Sequence, residues 1–161
     1  NKLKDALERV RISSDIIVPG NQKIYLCTGC MDCDLSGVCD FNDDMNDNIS
    51  KILDSEYVVF ITPTRWNTLS GDLKIMMDRL NPLYSNKKLN GKKMIALVVG
   101  SKDKSLYSTD GALTSLGSFA DASGMDLVYK KMFNNCLKFE DILKQEEELQ
   151  KSIDEIIKIV S

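Results

Sequence analysis

Hydrophobic and polar residues alternate along this chain with two different periods. Apolar residues between Leu3 and Val10 follow the spacing of an amphipathic helix, whereas Tyr57–Ile61 and Met94–Val99 are unbroken apolar runs. Further helices are predicted at residues 45–53, 73–80, 110–123 and 149–160, and a further strand at residues 127–133. Unbroken apolar runs are typical of parallel strands that helices cover on both faces. The pattern predicts a three-layer α/β sandwich around a parallel sheet.

Composition excludes some classes of partner. The 161 residues include 21 lysines and arginines against 24 acidic residues, so the net charge is -3. Without a basic surplus the chain cannot displace many counterions, which argues against nucleic acid as a partner. The sequence has no apolar run of transmembrane length and no signal-peptide pattern, so we expect a cytoplasmic protein with no membrane partner.

Two loops are expected at the carboxyl ends of buried strands. Residues 62–71 follow the run that begins at Tyr57, and residues 100–109 follow the run that begins at Met94. In parallel α/β sheets, ligands bind outside the carboxyl ends of the strands. A functional site is therefore predicted at these two loops.

Four of the five cysteines lie between residues 27 and 39, at Cys27, Cys30, Cys33 and Cys39. In a reducing cytosol, clustered cysteines are more often metal ligands or redox groups than structural disulfides. A C-x2-C-x2-C run is the spacing with which ferredoxins bind three corners of a [4Fe-4S] cluster, and Cys39 can supply the fourth. The isolated Cys136 is interpreted as a small buried hydrophobic residue.

Two other states of the cysteine loop stay open. Zinc sites more often use two C-x-x-C pairs with a longer spacer, which makes zinc less favoured than a cluster. The thiols can also be free or oxidised. Asp32, Asp34 and Asp40 add negative charge that would lower the reduction potential of a cluster, but acidic residues are also typical of solvated turns.

A second motif carries a resemblance to a known family. The segment Pro63-Thr-Arg-Trp-Asn-Thr-Leu-Ser-Gly71, followed by Asp78-Arg79, resembles the loop of flavodoxin-like NAD(P)H-dependent FMN reductases. The cysteine run is similar to that of the iron–sulfur flavoproteins, a branch of the same superfamily. The chain departs from the quinone-reducing members at Asn67, where they usually have glycine. Asp78 and Arg79 are interpreted as a structural pair at a helix end.

The resemblance implies a non-covalently bound FMN. The implied cofactor-binding residues are Pro63, Thr64, Arg65, Trp66, Asn67, Thr68 and Leu69, with Gly100 and Ser101 on the other side of the flavin. Trp66 would offer an aromatic face, and Arg65 would stabilise negative charge on the reduced ring. No catalytic side chain is implied, and the phosphate contacts of the family belong to a segment before Asn1.

The resemblance also implies a five-stranded sheet in the order 2-1-3-4-5. Asp15–Val18, which Pro19 and Gly20 terminate, is predicted as strand two, and no candidate for strand one is found. Because loss of a central strand would leave buried backbone groups unpaired, we expect about 10 to 20 further residues before Asn1. Residues 1–161 are thus predicted to be one flavodoxin-like domain whose first strand and phosphate loop are missing.

These observations lead to one main hypothesis and two alternatives. The main hypothesis is an FMN-dependent oxidoreductase that takes electrons from NAD(P)H and passes them to a quinone, a free flavin or a cluster on the cysteine loop. The alternatives are a non-catalytic electron carrier and a zinc-binding interaction module. The resemblance further implies a homodimer or homotetramer, with the Trp66 loop near a subunit contact.

Overall fold

The computed structural model describes residues 2–101, 110–138 and 140–161. The helices are α1 (Lys2–Arg9), α2 (Asp32–Ser36), α3 (Met45–Asp54), α4 (Gly71–Asp78), α5 (Asn81–Ser85), α6 (Asp110–Ser123), α7 (Asp141–Lys144) and α8 (Glu146–Val160), and a 3-10 turn spans Pro19–Asn21. The strands are β1 (Tyr57–Pro63), β2 (Lys93–Val99) and β3 (Asp126–Phe133). None of the helices in these ranges is long and apolar enough to cross a membrane.

The three strands form one parallel sheet in the order β1-β2-β3. Pro63 pairs with Val99, and Val99 pairs with Phe133, so the carboxyl ends of the strands meet at one edge. The two apolar runs and the further strand predicted at residues 127–133 are all confirmed as parallel strands. Their order agrees with positions three to five of the predicted sheet.

Successive residues of β2 enter two different cores, because side chains alternate across a strand. The side chains of Met94 and Val98 are buried in the larger core, together with apolar residues of α3, α4, α5 and α6. Ile95 and Leu97 face the smaller core, where they meet Ile156 of α8. Helices therefore cover both faces of the sheet, and the predicted three-layer sandwich is confirmed.

The strand predicted at Asp15–Val18 does not form in the described part of the chain. This segment pairs with no strand in the described part of the chain, although Ile17 packs against the larger core. A strand needs a second backbone to complete its ladder of hydrogen bonds. Apolar residues between turn signals indicate burial, but they cannot distinguish a paired segment from one that packs only through its side chains.

The break between α4 and α5 is also more than a helix end. Asn81 begins α5, and Pro82 lies in its first turn. Proline is tolerated there because N–H groups of the first turn have no acceptor within the helix. The break redirects the chain so that α5 packs against α2, the short helix within the cysteine loop. No helix is predicted from the sequence between residues 80 and 110, so the sequence analysis misses α5, the element that supports this loop.

The packing of α6 on the sheet gives a test of the larger core. Leu116 on α6 is 0% exposed, whereas Leu137 after β3 is 78% exposed. We expect Leu116→Ala to lower the free energy of unfolding by about 2–5 kcal/mol, because it removes apolar contacts and leaves a cavity. Leu137→Ala is the matched control and should change it by less than about 0.5 kcal/mol. Equal losses in urea unfolding would contradict this assignment of the core.

Candidate functional site

The loop after β1 is a tight hairpin at the carboxyl edge of the sheet. The backbone N–H groups of Arg65 and Thr68 each donate to the carbonyl oxygen of the other residue, at 3.0 Å in both directions. Trp66 and Asn67 between them have φ angles of 50° and 62°. Two central residues with positive φ are typical of a type I′ turn, which joins adjacent antiparallel segments without distorting them.

The backbone at position 67 explains why this chain can have asparagine where the quinone-reducing FMN reductases usually have glycine. Left-handed backbone favours glycine, and among the other residues asparagine tolerates it well. Asn67, at φ 62°, can therefore stand where glycine is usual. Trp66 has no such tolerance, yet it adopts φ 50° with its side chain 99% exposed at the tip. Strain of this kind in an exposed aromatic residue is typical of a binding site.

Both ends of the hairpin are fixed. At one end, the N–H of Thr64 donates to the carbonyl oxygen of Val99 at 2.8 Å. At the other, the N–H of Ser70 donates to the hydroxyl oxygen of Thr62 at 3.2 Å. The Ser70 hydroxyl in turn accepts from the N–H of Leu73 and caps α4. The hairpin is thereby joined to β2 and to the start of α4.

Gly100 and Ser101 follow Val99, the last residue of β2, whose carbonyl oxygen accepts the bond from the hairpin at Thr64. The N–H of Gly100 donates to the carbonyl oxygen of Phe133 at 2.8 Å, and its own carbonyl accepts from the N–H of Cys136 at 2.9 Å. Gly100 is buried, and Ser101 is exposed. The remainder of the predicted loop, residues 102–109, lies outside the described residues.

The start of α6 lies against the hairpin tip. A Cβ on Gly111 would collide with the backbone carbonyl oxygen of Asn67, so glycine is needed at this close approach. A helix N-terminus carries partial positive charge. In the described part of the chain, the N–H groups of Trp66 and Asn67 have no acceptor. This end of the hairpin can therefore donate to the electron-rich edge of a ligand.

The four clustered cysteines line one pocket. Cys33 is buried, Cys39 is half-buried, and Cys27 and Cys30 are exposed; none of them forms a disulfide. The pocket lining also includes Asn81 of α5. Within the described ranges, no three cysteine or acidic side chains are grouped so that they could hold a metal ion. The four sulfur atoms share a pocket without converging on one point.

A buried ion pair joins the two ends of the cysteine loop to α4. Arg79 donates from Nη1 to Oδ2 of Asp43 at 2.6 Å and from Nη2 to Oδ1 at 3.2 Å. The two side chains are 1% and 0% exposed. Nη1 also donates to the carbonyl oxygen of Tyr25 at 2.9 Å, and the guanidinium lies 4.9 Å from the ring centroid of Phe41. Arg79 thus contacts the chain on both sides of the cysteines.

The interpretation of Asp78 and Arg79 as a pair is therefore wrong. Asp78 pairs with Lys74 one turn earlier, at 2.5 Å on the exposed face of α4. Consecutive residues of a helix point in different directions, so Arg79 faces the interior instead. Its partner, Asp43, is distant in sequence, and no local pattern indicates such a contact.

Electrostatic interactions hold the buried pair in its ionised form. Burial alone would raise the pKa of Asp43, but hydrogen bonds from Arg79 and from the N–H groups of Tyr25 and Met45 lower it overall. Burial alone would lower the pKa of Arg79, yet Asp43 and the nearby Cys39 thiol raise it. At neutral pH the carboxylate and the guanidinium are both charged.

Asn81 and Ser85 of α5 hold α2 in place. The side-chain amide of Asn81 donates to the sulfur of Cys33 at 3.2 Å and to Oδ1 of Asp34 at 2.8 Å. The hydroxyl of Ser85 donates to the same Asp34 oxygen. Nothing in the sequence pattern marks Asn81 as a neighbour of a cysteine, and this contact was missed.

Cys136 lies apart from the cysteine pocket. Its residue surface is 8% exposed, and its thiol contacts the carbonyl oxygen of Asn134 at 3.4 Å. Burial raises the pKa of this thiol, which keeps it in the neutral form. Its interpretation as a small buried hydrophobic residue is confirmed.

The chain matches one known protein family and two proteins of known name. The sequence profile of the NADPH-dependent FMN reductase family matches residues 1–128. An iron–sulfur flavoprotein of Methanocaldococcus jannaschii is 27% identical over 97 residues, which cover 60% of this chain and 50% of that protein. An iron–sulfur flavoprotein of Archaeoglobus fulgidus is 31% identical over 93 residues, which cover 58% of this chain and 39% of that protein. The chain thus matches half or less of the length of these relatives.

A solved structure shares the fold. A flavone reductase superposes with a TM-score of 0.71 at 17% sequence identity, over 95% of this chain and 53% of that chain. At this identity the likeness supports the fold alone. It agrees with helices on both sides of a parallel sheet.

The buried pair predicts a specific pH dependence of stability. Because the pKa of Asp43 is lower in the folded state, the pair stabilises the fold above pH ~4, and this contribution is lost as the pH falls through the folded-state pKa. Asp43→Asn leaves Arg79 buried without a counter-charge, so we expect a loss of about 3–5 kcal/mol at pH 7. The difference from the wild type should shrink below pH ~4.

Urea unfolding at pH 7 and at pH 3 measures this effect. The matched control is Asp78→Asn, which removes only the exposed pair with Lys74 and should cost less than about 1 kcal/mol. A difference between wild type and Asp43→Asn that stays constant with pH would show that the pair is not ionised.

Proposed function

We propose, because this chain belongs to the NADPH-dependent FMN reductase family, that it forms part of a flavin-dependent oxidoreductase. Its reaction is the transfer of electrons from NAD(P)H to a small acceptor, a quinone or a free flavin. Bound FMN would supply the hydride chemistry, while the protein positions the ring, excludes water and adjusts the potential. We expect a cytoplasmic homodimer or homotetramer.

The hairpin after β1 is the observation that carries this proposal. It stands at the carboxyl edge of a parallel sheet, where ligands bind in such folds. Trp66 offers an exposed aromatic face, and the N–H groups of Trp66 and Asn67 lack acceptors in the described part of the chain. Gly111 allows the positive end of α6 to approach the same tip. A planar ring with an electron-rich edge fits this combination.

Each predicted ring-binding residue then has a physical role. Arg65 is exposed and its guanidinium donates to the carbonyl oxygen of Thr64, so it can move toward negative charge on a reduced ring. Leu69 is buried and anchors the hairpin to the larger core. Pro63 ends β1, and Gly100 and Ser101 form the neighbouring rim of the site. Thr68 closes the turn through its bonds to Arg65.

We propose in addition that the cysteine loop binds a [4Fe-4S] cluster. Cys27, Cys30, Cys33 and Cys39 line one pocket, and two relatives of the chain are named iron–sulfur flavoproteins. Zinc would require all its ligands within about 2.3 Å of one ion. A cluster binds each thiolate at a different iron, and the C-x2-C-x2-C spacing is the one that ferredoxins use for this purpose, so the spacing favours a cluster.

Flavin binding can be tested on the full-length native protein. We expect Trp66→Ala to weaken FMN binding about fivefold, because stacking on an aromatic face contributes roughly 1 kcal/mol. Trp66→Phe should restore most of the affinity, and Tyr84→Ala, which removes a half-exposed aromatic residue of α5, should leave it unchanged. Quenching of flavin fluorescence measures the affinity. Failure of the wild-type protein to retain FMN in excess would refute the proposal.

Stopped-flow spectroscopy separates an enzyme from an electron carrier. NADPH should bleach the absorbance of the bound flavin within milliseconds to seconds if the protein has its own nicotinamide site. A flavin that binds but is not reduced on this timescale would favour a carrier that exchanges electrons with protein partners.

The cluster is tested by metal and sulfide analysis of anaerobically purified protein. We expect iron and acid-labile sulfide in the wild type and a loss of most of both in Cys33→Ser, since serine replaces a thiolate ligand. Cys136→Ser removes a buried cysteine outside the pocket and should keep both. Zinc without iron would instead support the zinc-binding module.

A further inference from the structure

Two hydrogen-bond donors reach the cysteine pocket from the junction of α4 and α5. Asn81 donates to the sulfur of Cys33 at 3.2 Å. The guanidinium of Arg79 lies 4.9 Å from the ring centroid of Phe41, which lines the pocket, and its buried Nε–H has no acceptor in the described part of the chain. Both groups come from one short segment, and both lie at the lining of the cysteine pocket.

We propose that Asn81 and Arg79 raise the reduction potential of the cluster, Asn81 by its hydrogen bond to the sulfur of Cys33 and Arg79 by its positive charge beside the pocket. This inference rests on the proposed cluster and names the residues that would adjust it. Neither residue is a ligand: Asn81 acts through the sulfur of Cys33, and Arg79 acts through its charge.

The direction of the effect follows from charge. Thiolate ligands make the cluster site negative, and reduction adds one more negative charge. A donor next to a sulfur atom stabilises the more negative state, so it favours the reduced form and raises the potential. The side chain of Arg79 is shielded from water, which strengthens its interactions. The carboxylates of Asp32 and Asp40 stand at exposed positions, where water screens them.

The surroundings hold both donors in place before any cluster binds. Arg79 is fixed by its two bonds to Asp43 and by the carbonyl oxygen of Tyr25. The amide of Asn81 is oriented by its second bond, to Asp34. Because neither side chain must reorganise when the cluster is reduced, its dipole or charge acts in full on the sulfur.

The amide is tested with a matched pair of variants on α5. Asn81→Leu keeps the size of the side chain but removes the donor to Cys33. Ser85→Ala is the control, because Ser85 donates to the same Asp34 oxygen and to no sulfur. In redox titrations followed by electron paramagnetic resonance, we expect Asn81→Leu to disfavour reduction about tenfold, a shift of ~59 mV for a one-electron couple. Ser85→Ala should leave the potential unchanged.

The guanidinium needs a double variant, since loss of Arg79 alone would leave Asp43 buried and charged. Arg79→Met combined with Asp43→Asn removes both charges and should lower the potential in the same direction. Lys74→Met is the control, because it removes a positive charge from the exposed face of the same helix. It should leave the potential unchanged.

The outcomes separate this inference from the cluster proposal. If the wild-type protein contains no iron, both fall. If it contains a cluster whose potential is the same in Asn81→Leu and in the double variant, or shifts equally in the controls, only this inference is overturned. Lower potentials in both test variants with unchanged controls support it.

Discussion

The buried ion pair between Arg79 and Asp43 is the interaction on which the arrangement of the cysteine loop depends. An ionised pair with almost no exposure is tolerated only when its members satisfy each other, and here two hydrogen bonds join them. Because Tyr25 also binds the guanidinium, Arg79 contacts the segments on both sides of the four cysteines. The charged pair thereby joins the two segments that flank the cysteine loop.

Helix α4 connects this base to the other candidate site. It begins where Ser70 caps its first turn at the foot of the hairpin, and Arg79 follows its last residue. Eight residues of α-helix span about 12 Å. The hairpin and the cysteine pocket are thus held at the two ends of one short rigid element. Its inner face packs in the larger core through Leu73, Met76 and Met77.

The two sites differ in how the backbone is used. At the hairpin, a left-handed turn directs N–H groups and an aromatic side chain away from the sheet, and glycine at position 111 lets a helix end approach. At the cysteine pocket, α2 is bounded by left-handed residues at Met31 and Gly37, which fold the loop tightly enough for its sulfur atoms to share one cavity. In regular secondary structure the N–H groups of the hairpin would be hydrogen-bonded and the sulfur atoms would be farther apart. The two turns instead leave the N–H groups free of acceptors in the described part of the chain and place the sulfur atoms around one pocket.

Sequence alone predicted the layers of the fold and the two loops that form the candidate sites. Unbroken apolar runs indicated β1 and β2, a further strand was predicted at β3, helical spacing indicated the covering helices, and motifs marked the hairpin and the cysteines. These signals are local, since the spacing of apolar residues within a strand or helix indicates which of its faces are buried. Only the tertiary structure shows that Arg79 pairs with Asp43 and that the amide of Asn81 donates to Cys33. It also shows that Asp15–Val18 pairs with no strand in the described part of the chain. Each of these features depends on a contact with a segment that is distant in sequence. A local sequence pattern contains no information about which distant residue becomes the neighbour.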